Sequence, residues 1–248
     1  MKRTVTMDDG VQFGLGAFET IAVEQGKGVL LSRHLARLDR SAQFLGLGDL
    51  TERGLTMERA AEWIGENCPG HSACKILLTQ ENLVMQTRPD PYGAARYARG
   101  FHMDFSAVRR NETSPLTGHK TLNYGDCILE HRAAAAAGMD ERIFLNTRGK
   151  LAEGTVSNLF LVSGGRIYTP ALSCGLLPGV LRSYVLERYR VEEGEIDQRE
   201  LGSFDECFVT NSLMGVMPVK QLGERIFPSR ETADRLRSAY EAEKETLK

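Results

Sequence analysis

No Cys-x-x-Cys pair occurs among the five cysteines Cys68, Cys74, Cys127, Cys174 and Cys207. Their odd number and wide spacing give no zinc or redox motif, and buried reduced thiols of a cytoplasmic protein are the simple reading. Long apolar runs are missing too: no segment approaches the roughly 20 apolar residues that span a bilayer. Nothing hydrophobic follows the basic pair in MKRTVTMDDG, so the sequence predicts no leader, no membrane partner and a cytoplasmic location. Charge of one sign is also absent. The formal net charge is -2 with Lys and Arg spread along the chain, which argues against nucleic acid phosphates as a partner. What remains is an average soluble composition, 42% hydrophobic and 26% charged over 248 residues, enough for one large or two small cores.

Residues 11–31 alternate like strands around the glycine-rich turn Gln25-Gly26-Lys27-Gly28. Ser32 is placed to cap a helix reaching Gly46, with Leu35, Leu38, Ala42 and Leu45 on one stripe and Arg37 off it as an exposed charge. A helix over residues 56–67 precedes a hairpin, residues 74–78 and 83–86, turning at Glu81-Asn82. After a short helix and a strand over 101–108, the polar stretch 109–116 reads as an interdomain linker. The expected domains are therefore 1–108 and 117–248, the second carrying Lys120. A helix over 123–137 follows, then strands at 142–146, 159–162 and 166–169, a helix after Pro178-Gly179, a strand near 206–210 and a terminal helix capped by Ser229. Strands without regular βαβ alternation point to two α+β units.

Three stretches have chemical content. In HKTLNYGD, Lys120 precedes a helix at the expected domain junction, where a flexible amine projects into a cleft and serves as a nucleophile once its charge is suppressed. Taken alone it would be a solvated charge. In LAEGTVSNLF, Glu153 stands between strand segments, either a loop carboxylate or an acceptor for a protonated ring nitrogen. GLLPGVLRS opens a helix whose orphan N–H groups favour an anion. No cluster reads as a metal site.

HKTLNY, LAEGTVSNLF and LLPGVLRS, with FGLGAFETI and HLARLDRSA upstream, resemble the signature of class IV (fold-type IV) pyridoxal-phosphate enzymes over nearly the whole chain. The resemblance implies a two-domain α+β fold like that of D-amino acid aminotransferase, pyridoxal 5'-phosphate as cofactor, a small amino-bearing substrate and a homodimer. By position, Lys120 matches the lysine that forms the Schiff base and Glu153 the partner of the pyridine nitrogen. Arg37 matches the arginine on the phosphate, Val180 and Leu181 the backbone donors to it, Ser212 a further hydroxyl donor, and Leu177 the apolar residue beneath the ring. Phe18 and Thr20 fall on the substrate side.

Within the family, RRNETSPLTGHKTLNY and TNSLMGVMPV look more like 4-amino-4-deoxychorismate lyases, which eliminate pyruvate to give 4-aminobenzoate for folate synthesis. Transaminases of branched-chain or related amino acids are the alternative, and a catalytically silent member a more distant one. The short turn Thr79-Gln80-Glu81-Asn82 lacks the arginine and histidine of the D-amino acid enzymes, while Leu15 stands where many lyases have aspartate. Lys75 and Arg109 are the candidate cations for a substrate carboxylate.

Overall fold

The computed structural model describes residues 4–247; Lys2 and Arg3 of the basic pair lie outside them. The chain divides into two compact units. One comprises the residues up to Pro91 with His119–Tyr124 and residues 244–247, and the other comprises Tyr92–Gly118 with Gly125–Glu243.

The first unit contains α1 (Asp9–Phe13), β1 (Ala17–Glu24), β2 (Lys27–Gly28), α2 (Leu31–Phe44), α3 (Met57–Asn67), β3 (His71–Leu78) and β4 (Leu83–Arg88). The four strands form an antiparallel sheet in the order β2-β1-β3-β4. Alternation assigns its two faces. Ala17, Ile21 and Val23 of β1 join Cys74, Ile76 and Leu78 of β3 in one core with Leu35, Leu38 and Ala42 of α2 and Ala60 and Ile64 of α3. Phe18, Thr20, Lys75 and Leu77 therefore share the opposite face, since Phe18 pairs with Leu77 and Thr20 with Lys75.

Local chemistry shifts several expected boundaries. Residues 11–13 are helical because Asp8 caps α1, its side chain accepting from the Val11 N–H. Ser32 does not cap α2; Leu30 does, in a left-handed conformation with φ 53°.

The second unit contains α4 (Ala94–Arg99), β5 (Phe101–Arg110), α5 (Gly125–Ala136), β6 (Glu141–Asn146), β7 (Leu151–Gly154), β8 (Asn158–Ser163), β9 (Arg166–Pro170), α6 (Val180–Arg188), β10 (Val191–Gly194), β11 (Glu206–Asn211), β12 (Gly215–Leu222), β13 (Arg225–Ile226) and α7 (Glu231–Glu243). Its pairings run β8-β11-β12-β5-β6-β7, and a further pairing of β7 with β8 closes them into a ring of six strands. Alternate residues of the ring strands, among them Phe101, Met103, Ile143, Leu145, Leu159, Leu161, Val209, Met217 and Val219, build one core. Ser229 caps α7, its Oγ accepting from the Glu231 N–H at 3.3 Å, and Glu206 satisfies the next N–H groups, accepting from Thr232 at 2.8 Å and Ala233 at 3.2 Å.

The expected division at 108/117 is corrected. Residues 101–110 are one strand paired with β6 and β12, so this segment is a wall of the second unit, and residues 115–118 are a 3-10 turn. Residues 120–122 belong to the first unit instead. There the Phe18 N–H donates to the Lys120 carbonyl at 2.9 Å, the Leu122 N–H to the Gly16 carbonyl at 2.8 Å, and Ala17 bridges Thr121. Gly16 permits this approach, because a Cβ there would lie 2.6 Å from Leu122 and 2.8 Å from the Leu78 carbonyl.

Candidate functional site

In the first unit, the backbone pairing of residues 120–122 with β1 carries Lys120 to Phe18. The Lys120 Nζ lies 4.5 Å from the Phe18 ring centroid and 5.0 Å from that of Tyr124. The two rings meet edge to face at 5.1 Å, giving the amine aromatic walls on two sides. Lys75 Nζ approaches the same Phe18 ring at 4.6 Å, so Phe18 is shared by two amines. Burial, with the charge of Arg88, depresses the Lys75 pKa. Thr20 stands beside Lys75 on that face, half-buried.

Arg37 is not the exposed helix charge its position off the apolar stripe suggested. It is buried, because Glu19 reaches it from the core face of β1. The Arg37 Nε donates to Glu19 Oε1 at 2.7 Å and its second nitrogen to Oε2 at 2.8 Å, a two-pronged pair. His34, one turn earlier on α2 and fully buried, places Nδ1 2.6 Å from the same Oε2. Burial alone would raise the Glu19 pKa, yet Arg37 and His34 together hold this carboxyl well below the usual range. Burial also depresses the His34 pKa; Glu19 opposes that, while Arg37 and Lys120 reinforce it. Neither Glu19 nor His34 stands out by residue type; FGLGAFETI and HLARLDRSA signal them only as a pair of motifs.

In the second unit the ring closure makes a polar row. Glu153 of β7 pairs with Asn158 of β8, and Asn158 with Thr210 of β11, so the three buried side chains share one face. A register shift between Ile143 and Leu145, opposite Gly154 and Leu151, turns Glu153 away from the core that Leu151 fills. One Glu153 oxygen accepts from Arg110 and the other from the Leu177 N–H at 3.0 Å. The Leu177 carbonyl in turn accepts from Asn158 Nδ2 at 2.9 Å. The Leu177 backbone is thus held through both its N–H and its carbonyl.

That clamp sets the entry to α6. Gly179 is its N-cap, and a Cβ there would fall 1.9 Å from Asn158 Oδ1, so only glycine fits against Asn158. Gly179 brings no capping side chain to the buried first turn, Val180 and Leu181. Thr210 Oγ1, paired across from Asn158, is buried without a hydrogen-bond partner. Ser212 is half-buried in the turn that Asn211 organises, accepting from Leu213 and Met214 N–H groups at 3.0 and 2.9 Å. Arg109 is exposed on β5; its neighbour Arg110 is the one that reaches Glu153. Asn158, Thr210 and Arg110 carry no sign of this role in the sequence beyond the presence of the first two in VSNLF and TNS.

The expected residues thus fall into two sets. Phe18, Thr20, Arg37 and Lys120 lie in the first unit, and Glu153, Leu177, Val180, Leu181 and Ser212 in the second.

The amino-transferase class IV family model matches residues 16–222. The chain belongs to this family. It is 30% identical over 229 residues to an aminodeoxychorismate lyase of Vibrio harveyi, covering 86% of this chain and 84% of that protein. The fold matches the 4-amino-4-deoxychorismate lyase of Pseudomonas aeruginosa with a TM-score of 0.87 at 27% identity, over 98% of this chain and 96% of that one. It also matches a fold IV-transaminase of Curtobacterium pusillum with a TM-score of 0.80 at 25% identity, over 96% and 90% of the two chains. The α+β, fold-type IV architecture implied by the motifs is therefore the observed one, and the chain is an enzyme of this family.

Proposed function

We infer that this protein is a pyridoxal-phosphate-dependent 4-amino-4-deoxychorismate lyase, releasing pyruvate and leaving 4-aminobenzoate, and that it works as a cytoplasmic homodimer. The observation that carries the cofactor is the row Glu153, Asn158 and Thr210 around the Leu177 backbone. It joins a buried anionic acceptor, an apolar side chain, an orphaned hydroxyl and a helix N-terminus within one unit. These are the groups that a flat, apolar ring with a basic nitrogen at one end and a phosphate at the other requires.

Glu153 would hold the ring nitrogen protonated, with Arg110 keeping the carboxylate ionised and aimed. Leu177 would pack beneath the ring. Within the second unit, Val180 and Leu181 N–H groups, Ser212 and Thr210 would donate to the phosphate; in the first unit, Arg37 and Lys120 keep the roles that their motifs imply, a cation for the phosphate and the amine for the aldehyde carbon. When bound, the cofactor supplies an electron sink for a carbanion. Lys120 acts as the base: its amine takes the proton from the amine-bearing ring carbon of the substrate. The electron pair of that bond completes the aromatic ring as the carbon–oxygen bond to enolpyruvate breaks. The leaving group then takes up a proton and becomes pyruvate. Lys75, with Phe18 and Thr20 on the same sheet face, would meet a substrate carboxylate, and Arg109 is set aside for its exposure.

Likeness to the two lyases, one at 30% identity, supports elimination over transamination. The turn at residues 79–82, without the arginine and histidine of the D-amino acid enzymes, speaks against that one class of transaminase. Its polar groups are engaged by Asp8, which accepts from Thr79 at 2.5 Å, Glu81 N–H at 2.8 Å and Asn82 at 3.1 Å. The test is to supply the cofactor-loaded protein with aminodeoxychorismate, and separately with amino acids plus 2-oxoglutarate. Aminobenzoate and pyruvate without glutamate is the expected result. Glutamate from branched-chain donors, with no aminobenzoate, would overturn it.

A further inference from the structure

Behind Glu153, on the core side of the same wall, lies a second carboxyl to which the reaction above gives no role. Glu141 opens β6 and has no exposed surface. Its Oε1 accepts from the Val156 N–H at 2.7 Å and from Thr155 Oγ1 at 3.3 Å, while Oε2 is buried without a hydrogen-bond partner. The turn at residues 154–157 is wrapped against it: a Cβ on Gly154 would lie 2.4 Å from Glu141 Oε1. Thr155 also faces His131 of α5, whose Nδ1 is 3.2 Å from its Oγ1. Asn211, which organises the Ser212 turn, donates to the Val156 carbonyl at 3.3 Å.

We propose that Glu141 is a positioning residue for Glu153, holding the turn that leaves β7 and acting on the Glu153 carboxylate from the far face of the sheet. The step toward the ring nitrogen rests on the reading of Glu153 given above; the rest concerns the protein alone. An isolated carboxylate with a bare buried oxygen is costly, so the neutral acid is the favoured form. Burial pushes the Glu141 pKa up to about 7; Val156, Ser157 and Thr155 oppose this and the charge of Glu153 adds to it. Besides Arg110, which bonds Glu153, the other ionisable groups around this wall are His131, its own pKa depressed by burial and by Arg96, and the Arg142–Glu130 pair, 2.9 Å apart. None of these cations bonds Glu141. Below about pH 7 Glu141 thus adds no charge to those of Glu153 and the Arg142-paired Glu130, and above it a further negative charge appears behind Glu153.

The sign follows. A carboxyl whose pKa is higher folded than unfolded contributes stability at low pH that is lost as pH rises through its folded value. The apoprotein's folding constant should fall on the order of a hundredfold between pH 5 and 8 relative to Glu141→Gln, which keeps an acceptor oxygen and cannot ionise. Carbon-13 NMR of glutamate-labelled apoprotein should show one carboxyl titrating near pH 7, absent in Glu141→Gln. The wild-type spectrum alone decides this if the variant does not fold. No carboxyl titrating between pH 6 and 8 would overturn the proposal. In loaded protein, the ratio of wild-type to Glu141→Gln affinity for pyridoxal phosphate should change at least threefold across pH 7; a flat ratio also counts against it. Glu153→Gln separates the two readings. If that variant binds the cofactor with an unchanged absorption spectrum, the role of Glu153 fails, while the apoprotein titration still reports on Glu141.

Discussion

Replacing Glu19 by Gln should destabilise the protein more than replacing its partner Arg37. Glu19 accepts three short bonds, at 2.7 and 2.8 Å from Arg37 and 2.6 Å from His34, with neither Glu19 nor His34 exposed. Removing the anion leaves a buried guanidinium that cannot lose its proton, and breaking one side of such a pair costs about 3–5 kcal/mol. Against a total stability on the order of 5–15 kcal/mol that is a large fraction. Arg37→Met leaves a carboxylate instead, and His34 can neutralise it by taking a proton, the more readily because the Arg37 charge no longer depresses its pKa. We expect about 2 kcal/mol or less for Arg37→Met at pH 6. That variant's stability should fall as pH rises and His34 loses the proton that neutralises Glu19. In the wild type, Glu19 acts in the opposite sense. Its pKa is depressed on folding, so its contribution is complete above about pH 4.5 and is lost as pH falls. Urea unfolding of both variants followed by far-ultraviolet circular dichroism gives the comparison. A cost below about 1 kcal/mol for Glu19→Gln, or an equal cost for the two, would refute the idea that Glu19 holds Arg37 in place.

Lys120→Ala should abolish the visible absorbance of the cofactor-loaded protein and its turnover while leaving circular dichroism unchanged. Gly179→Ala forces Asn158 away and should weaken pyridoxal phosphate binding by at least tenfold in an equilibrium titration; unchanged affinity would remove Asn158 from the cradle. Thr210→Val should separate two effects. Deleting an unpaired buried hydroxyl stabilises the apoprotein by about 1 kcal/mol in thermal unfolding, while cofactor affinity falls. If both change in the same direction, Thr210 does not face the phosphate.

The helical stripe of α2 and the 71–88 hairpin were legible because their period dictates burial directly. Arg37 was not, since a charge off the apolar stripe is buried only when another element brings it a partner, and Glu19 lies 18 residues earlier in a strand. The segment at 109–118 misled for a related reason. Its polar residues 109 and 110 continue β5, and the short path to Lys120 hides a passage from one unit to the other. Glu153 was marked by its motif, but the bulge that turns it off the core face, and the Asn158 clamp on Leu177, are tertiary facts with no periodic trace. The same holds for Glu141, which reads as one more charge in MDERIFLN until the turn at residues 154–157 is folded over it.

Borohydride reduction of the cofactor-loaded protein, followed by mass mapping of its peptides, tests the assignment of Lys120 most directly. The pyridoxyl group is expected on the peptide containing Lys120 and on no other. Attachment at Lys75, the second amine against Phe18, or at no lysine would contradict it.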